Sequence, residues 1–148
     1  MRKLTVWVIE DDELERGRAI NVVEEVGRAA TAFSFDIWNS ASLLWPPVSK
    51  DGAQARPACL PDVVILDLFD DGLRGDSFYR KLREEEEEKQ CRPAFVVIWS
   101  RYSGVVSAEN FIEETTKKDG NFIPLDTKSQ YLLRERLSSL VERIEEES

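Results

Sequence analysis

The chain has 148 residues, of which 42% are apolar and 33% are charged, a composition that fits one soluble globular domain and excludes a disordered chain. A formal net charge of −9 argues against direct nucleic-acid binding, because that binding depends on clustered Lys and Arg side chains. The absence of histidine excludes Ser-His-Asp and Cys-His catalysis, most zinc sites and any role as a phosphohistidine donor.

The location of the chain is predicted from its apolar stretches and its cysteines. No apolar stretch is long enough to cross a bilayer, and the N-terminus lacks the small-residue cleavage site of a signal peptide. Cys59 and Cys91 are too few for a disulfide framework and are predicted to be free thiols. We therefore expect a cytoplasmic protein that does not act at a membrane.

The first third of the chain alternates between strand and helix patterns. An apolar run over 4–9 predicts a strand, the spacing of apolar residues over 14–26 predicts a helix, and 31–37 predicts a second strand. A short helix is expected over 40–45, ended by the prolines that follow. The segment 46–61 contains four of the six prolines and is predicted to be a loop.

The middle of the chain repeats this alternation around its most apolar segment. The run over 62–67 ends on a carboxylate and predicts a strand that is buried on both faces, as in a parallel sheet. A turn over 70–75, a helix over 76–89, a strand over 94–99 and a helix over 107–118 are predicted to follow.

The last two predicted elements complete the fold. A short strand over 121–125 contains Pro124, which lacks a ladder hydrogen-bond donor and so favours an edge position. A long helix is predicted over about 127–146, and its far end could project and support a homodimer. Its apolar stripe consists of Leu133, Leu137, Leu140, Val141 and Ile144. The whole pattern predicts one α/β domain over 1–148, a (βα)5 flavodoxin-like three-layer sandwich with a parallel five-stranded sheet in the order 2-1-3-4-5.

Acidic and hydroxyl side chains follow three of the predicted strands. Glu10 and Asp11 follow the first strand, Asp67 ends the third, and Ser100 follows the fourth. Because the first and third strands are neighbours in this sheet order, the three carboxylates would converge and repel one another unless a cation intervenes. Mg²⁺ suits them, since it binds a few carboxylates together with water and phosphate oxygens. Asp67 could then attack a phosphoryl group, with Ser100 donating a hydrogen bond to one of its oxygens.

Each of these residues also has a purely structural interpretation. Acids are common in the loops that follow strands, and residues 10–13 could merely cap the first helix, where negative charge is favoured. A functional site is favoured only by the combination of all these residues at successive strand ends.

Two short motifs, V-I-E-D-D-E at 8–13 and V-I-L-D-L at 64–68, resemble the acidic pair and the phosphoacceptor strand of response-regulator receiver domains. The resemblance covers nearly the whole chain. It implies that Asp67 is the phosphorylated residue. It also implies that Glu10, Asp11, Asp67 and the backbone carbonyl of Phe69 bind Mg²⁺.

The same resemblance implies how the domain would signal. Ser100 lies at the family's switch Ser/Thr position, Phe122 lies at its aromatic switch position in the fifth strand, and Gly75 matches a glycine ahead of the third helix. A histidine kinase or phosphotransfer protein would donate the phosphoryl group. A downstream protein target would then bind the face formed by the family's fourth helix, fifth strand and fifth helix.

The chain departs from the family pattern at the end of the fifth strand. The family has a lysine there, followed by a proline, whereas this chain has Leu125. Shifting the register to the chain's own nearby proline puts Ile123 in the lysine position, so neither alignment supplies the charge. Arg101 or Lys128 could provide it instead, unless both are solvated surface residues.

The sequence leaves three functions to compare. The expected one is a stand-alone receiver domain that accepts a phosphoryl group on Asp67 and signals through protein–protein contacts without being an enzyme. An alternative, favoured by the absent lysine, is a degenerate receiver that binds partners without phosphorylation. A second alternative is a small Mg²⁺-dependent phosphatase, which is disfavoured because Phe69 stands where such enzymes need a second general acid.

Overall fold

The architecture was obtained as a computed structural model that describes residues 1–50, 55–68 and 73–147. Its strands are β1 (Arg2–Ile9), β2 (Phe33–Ser40), β3 (Val63–Leu66), β4 (Phe95–Trp99) and β5 (Phe122–Leu125). Its helices are α1 (Glu13–Ala29), α2 (Leu73–Glu88), α3 (Val106–Lys118) and α4 (Gln130–Glu146). Among the described residues, no helix combines the length and the apolar character needed to span a bilayer.

The five strands form one parallel sheet in the order β2-β1-β3-β4-β5, which confirms the predicted order. β3 and β4 are buried along their whole length, as expected of central strands that are covered on both faces. Among the described residues β5 pairs with β4 alone, so Pro124 lies in an edge strand as predicted.

Helices cover both faces of the sheet, so the predicted three-layer sandwich is also confirmed. α1 and α4 pack on one face of the sheet, against strand side chains such as Val6, Val8 and Val97. α2 and α3 pack on the other face, against strand side chains such as Val64 and Val96. Burial on both faces explains why the central strands read as continuous apolar runs rather than alternating patterns.

The short helix predicted over 40–45 is wrong. Ser40 is instead the last residue of β2, and its hydroxyl oxygen accepts a hydrogen bond from the backbone N–H of Ser42 at 3.1 Å, which turns the chain. Trp45 then packs against Trp7 and Phe78 with ring centroids 5.6 and 5.3 Å apart. The described residues of the predicted loop 46–61, which are 46–50 and 55–61, form neither helix nor strand.

The last helix remains on the sheet instead of projecting from it. All five residues of its predicted apolar stripe are buried, as far as Ile144. Glu147, just beyond the helix, forms an ion pair with Arg92, which precedes β4. The expectation that the far end of this helix projects is therefore wrong, whereas homodimerisation stays a prediction.

The acidic run over 84–88 contains one buried member. The side chain of Glu86 is only 3% exposed, because its carboxylate accepts hydrogen bonds from the Arg83 guanidinium at 2.7 Å and from the backbone N–H of Ala94 at 2.6 Å. Arg83 also pairs with Asp119 at 2.9 Å. This network joins α2 to the segments that precede β4 and β5, so the run is partly structural rather than wholly solvated.

Candidate functional site

The backbone of the two central acids is fixed by the sheet. The N–H of Glu10 donates to the carbonyl of Ser40 at 3.0 Å, and the N–H of Asp67 donates to the carbonyl of Ile9 at 3.0 Å. Glu10 and Asp67 are thus the first residues beyond β1 and β3, which pair directly. Their side chains leave the sheet at its carboxyl edge, where open parallel sheets bind their ligands.

Three carboxylates meet at this edge. One oxygen each of Glu10, Asp11 and Asp67 lies within 4.8 Å of the others, and we call this group the acid cluster. Glu10 is buried, Asp67 is half-buried and Asp11 is exposed. The helix cap is a different residue, Asp12, whose carboxylate accepts the backbone N–H of Glu15 at 3.0 Å. Capping therefore accounts for Asp12 but not for the acid cluster.

Lys128 supplies positive charge to the acid cluster. Its Nζ lies 2.5 Å from Oε1 of Glu10 and 3.1 Å from Oδ1 of Asp67, and its side chain is only 15% exposed. The residue belongs to the loop between β5 and α4, three positions after Leu125. The structure thus places the ammonium group of Lys128 beside Asp67, although the end of the fifth strand has no lysine.

The electrostatics of the acid cluster centre on Glu10. Burial raises the pKa of its carboxyl to about 8, and the hydrogen bond with Asp67 acts in the same direction, while Lys128 acts against both. The second oxygen of Glu10, Oε2, is buried and has no hydrogen-bond partner among the described residues. The backbone carbonyl of Glu10 accepts a hydrogen bond from Arg16 at 2.9 Å, so the residue is fixed while one carboxylate oxygen remains available.

Ser100 is buried beside the acid cluster. Its hydroxyl donates to the backbone carbonyl of Leu68 at 3.1 Å, and its backbone N–H donates to the carbonyl of Leu125 at 3.3 Å. Ser100, Asp67 and Lys128 line the same cavity, which has a volume of about 540 Å³. The hydroxyl group is thus within the site but is bonded to main chain.

The remaining predicted site residues lie in different places. Arg101 is exposed at the same cavity and makes no ion pair with the part of the chain that the structure describes. Phe122 does not line the cavity; it is buried between Tyr79 and Phe111, with ring centroids at 5.4 and 5.6 Å. Phe69, predicted to offer a backbone carbonyl to Mg²⁺, lies outside the described residues.

The overall fold is similar to that of solved structures. The signal receiver domain of the putative response regulator NarL from Mycobacterium tuberculosis matches with a TM-score of 0.59, covering 96% of this chain and 98% of that one. The chain has the receiver-domain fold. At 17% sequence identity this likeness concerns the fold alone.

Two further structures match at lower identity. The first is a fusion chain that contains residues 181–211 of the yeast Spc42 trimeric coiled coil. It matches with a TM-score of 0.57 and 11% identity, and the match covers 99% of this chain and 85% of that one. The bacteriophytochrome response regulator AtBRR has a TM-score of 0.49 and 15% identity, with 92% of each chain covered. No protein-family model matches the chain, and no characterised protein matches it in sequence.

The acid cluster suits a hard divalent cation at this edge of the receiver-domain fold. Its three carboxylate oxygens are close enough to share one ion, and the unpartnered Oε2 of Glu10 is a free oxygen donor of the kind that Mg²⁺ prefers. The ammonium group of Lys128 already contacts two of the three carboxylates. A cation bound here would therefore have to share these oxygens with Lys128 or displace its ammonium group.

Two residues at the site were not predicted from the sequence. Asp126 accepts hydrogen bonds from the backbone N–H groups of Tyr102 at 2.8 Å and Ser103 at 3.3 Å, and so joins the loops after β4 and β5. Trp99 lies under Lys128, with Nζ 4.8 Å from the ring centroid. The sequence shows an Asp after the fifth strand and a Trp before Ser100, but neither pattern predicts which groups these side chains contact.

Gly75 keeps the backbone next to Asp67 in place. It lies in the first turn of α2, which begins three residues before the predicted start. A Cβ atom at this position would clash with the side chain of Leu68 and lie 3.2 Å from the carbonyl oxygen of Asp67. Gly75 is therefore needed for close approach rather than for an unusual backbone conformation.

We expect Gly75→Ala to destabilise the protein by about 1–3 kcal/mol, the usual effect of inserting a methyl group into a filled space. The matched control is Gly17→Ala in α1, where a Cβ meets nothing within 4 Å. Urea unfolding of both variants measures the difference. Equal free energies of unfolding for Gly75→Ala and the unmodified protein would contradict this prediction, because they would show that the Leu68 side chain can move aside without loss of stability.

Proposed function

We propose that this chain is a receiver-type signalling domain that accepts a phosphoryl group on Asp67 and acts through protein–protein contacts in the cytoplasm. The observation that supports it best is the contact between Lys128 and the acid cluster at the carboxyl edge of the sheet. A nucleophilic carboxylate, a fixed positive charge and a cation site are the groups that phosphoryl transfer requires.

In this proposal Asp67 is the nucleophile. Its carboxylate oxygen attacks the phosphorus of the donor, a new P–O bond forms, and the bond from phosphorus to the donor breaks with its electron pair. With a phosphohistidine donor, the bond that breaks is P–N, and the imidazole nitrogen keeps the pair. The product is an acyl phosphate on Asp67 and an unmodified donor.

The other residues of the site would stabilise the transferred group. Lys128, 3.1 Å from Asp67, is close enough to pair with a phosphoryl oxygen. Ser100 could donate a hydrogen bond to a second oxygen after releasing the carbonyl of Leu68. Glu10, Asp11 and Asp67 would hold Mg²⁺, which neutralises charge on the phosphoryl group when bound.

The donor in this proposal is a histidine kinase or phosphotransfer protein, because the chain itself contains no histidine. The output is a downstream protein target. We propose no enzymatic role beyond self-catalysed phosphotransfer and dephosphorylation.

A phosphorylation-independent binding module is the second candidate, and two observations favour it. Lys128 already bridges Glu10 and Asp67, so the acid cluster has a counter-charge without any metal. The hydroxyl of Ser100 is likewise bonded to main chain rather than directed to Asp67. In that case the acid cluster and Lys128 would have only a structural role, and partner proteins would bind the surface of the domain without any phosphorylation of Asp67.

One experiment separates the candidates. The protein is incubated with Mg²⁺ and phosphoramidate, a small donor with the same P–N linkage as phosphohistidine, and its intact mass is measured. A receiver should gain the mass of one phosphoryl group, and Asp67→Asn should not. Steady release of inorganic phosphate without a stable adduct would indicate a phosphatase, and an unchanged mass under every condition would leave the binding module.

A further inference from the structure

Trp99 is the last residue of β4 and directly precedes Ser100. It is 1% exposed and belongs to the same apolar cluster as Leu133 and Leu137 of α4. Apolar packing accounts for the burial of the ring, but it does not account for what the polar contacts of the indole hold in place.

Both polar features of the indole are directed to the loop that carries Lys128. Its Nε1–H donates to the backbone carbonyl of Ser129 at 3.0 Å. Its ring lies next to the ammonium group of Lys128, 4.8 Å from centroid to Nζ. One side chain thus holds the main chain after Lys128 and also contacts its charge.

The ammonium group of Lys128 thus has three close neighbours among the described residues. Its Nζ contacts carboxylate oxygens of Glu10 and Asp67, and it lies over the indole ring of Trp99. A lysine on a loop has a flexible four-carbon stem, which favours solvent unless several groups hold it. A cation over the face of an indole is the strongest pairing of its kind among protein side chains.

We propose that Trp99 is a positioning residue that holds Lys128 against Asp67 and Glu10. It would allow a lysine from the β5–α4 loop to supply the charge that the end of the fifth strand lacks. The effect on phosphorylation rests on the proposed function, whereas the effect on the location of Lys128 does not. The two consequences are therefore measured separately.

The first measurement is the order of the lysine side chains in the metal-free protein, taken from NMR relaxation of their methylene and ammonium groups. A side chain held by several groups is ordered, whereas a released lysine is mobile. We expect Lys128 to be ordered in the unmodified protein and to become mobile in Trp99→Leu. The matched control is Trp38→Leu, since Trp38 contacts Lys50 in the same manner at 5.1 Å but lies away from the site. In that variant the Lys128 side chain should stay as ordered as in the unmodified protein.

The second measurement is a double-mutant cycle on the rate of phosphorylation by phosphoramidate. Trp99→Leu alone should slow the reaction about fivefold, the magnitude of one cation–π contact. In the Lys128→Met background it should have no further effect, because its action passes through Lys128. A purely structural role would lower the rate by the same factor in both backgrounds and would overturn the proposal.

A second variant keeps the test valid if Trp99→Leu does not fold. Trp99→Phe keeps a ring but removes the N–H donor to Ser129, so Lys128 should be less mobile than in Trp99→Leu and more mobile than in the unmodified protein. A Lys128 side chain that stays as ordered as in the unmodified protein in Trp99→Phe and in any folded Trp99→Leu would overturn the proposal. If the unmodified protein takes up no phosphoryl group, the proposed function fails, and the NMR comparison alone decides whether Trp99 holds Lys128.

Discussion

Replacing Lys128 with methionine is expected to slow phosphorylation of Asp67 by on the order of 10²-fold, the usual effect of removing one group that stabilises developing charge. Methionine has a similar length and no charge, so it can occupy the same space but cannot donate a hydrogen bond to the carboxylates or neutralise them. The rate is measured from the intact mass over time with phosphoramidate and Mg²⁺.

The same substitution is expected to destabilise the metal-free protein by about 3 kcal/mol, because it leaves Glu10 and Asp67 without their buried partner. Added Mg²⁺ should restore most of this loss, since it can replace the missing positive charge. Urea unfolding with and without Mg²⁺ measures both effects. Mg²⁺ should also bind more tightly to the variant, because no ammonium group competes for the same oxygens.

Lys50→Met is the matched control for Lys128→Met. Lys50 also pairs with a carboxylate, that of Asp36 at 2.6 Å, and also lies over an indole, that of Trp38. It does not line the cavity at the acid cluster. Wild-type phosphorylation rates in Lys128→Met would show that its proximity to Asp67 has no role in the reaction.

The acid cluster could be anticipated from the sequence because its geometry follows from the sheet. Glu10 and Asp67 come directly after two apolar runs, and the strand order makes those strands neighbours. Backbone hydrogen bonds to the neighbouring strands then fix the main chain of both residues, and with it the edge of the sheet at which each side chain begins. Wherever a residue is the first one beyond a buried strand, its position is nearly as predictable as the strand itself.

The contact between Lys128 and Asp67 could only be proposed as one of two options. It depends on the path of the loop after Leu125 and on the side chain of Trp99, and neither is encoded by a periodic pattern. Arg101 is next to Ser100 in sequence and was an equally reasonable source of charge. Its side chain is nevertheless exposed, whereas that of Lys128 is 15% exposed.

The error over 40–45 has a related cause. Ser40 is a competent helix cap, and three apolar residues follow it at 43–45 before the prolines. Ser40, however, continues β2 to the end of its pairing with β1, where it lies opposite Ile9. Because Ser40 is paired in β2, it cannot cap a helix. The chain turns after it, and Trp45 packs against the core without helical hydrogen bonds. Tertiary pairing thus outweighs a weak local preference.

Neutralising Glu10 by Glu10→Gln should have opposite effects on stability and on metal binding. Burial raises the pKa of Glu10, so the charged carboxylate is disfavoured at this position without a cation. Glutamine keeps the shape and can still accept a hydrogen bond from Lys128. We expect the metal-free variant to be more stable by about 1–2 kcal/mol, because the repulsion within the acid cluster is reduced.

The Mg²⁺ affinity of Glu10→Gln should instead fall on the order of 10²-fold, since affinity for a hard cation depends on the number of charged oxygen ligands. Calorimetric titration with Mg²⁺ and thermal unfolding in its absence measure the two effects. Glu13→Gln is the control, because Glu13 is an exposed acid in the first turn of α1 and does not belong to the acid cluster. A Glu10→Gln protein that binds Mg²⁺ as tightly as the Glu13→Gln control would mean that the ion, if it binds, is held elsewhere than at the acid cluster.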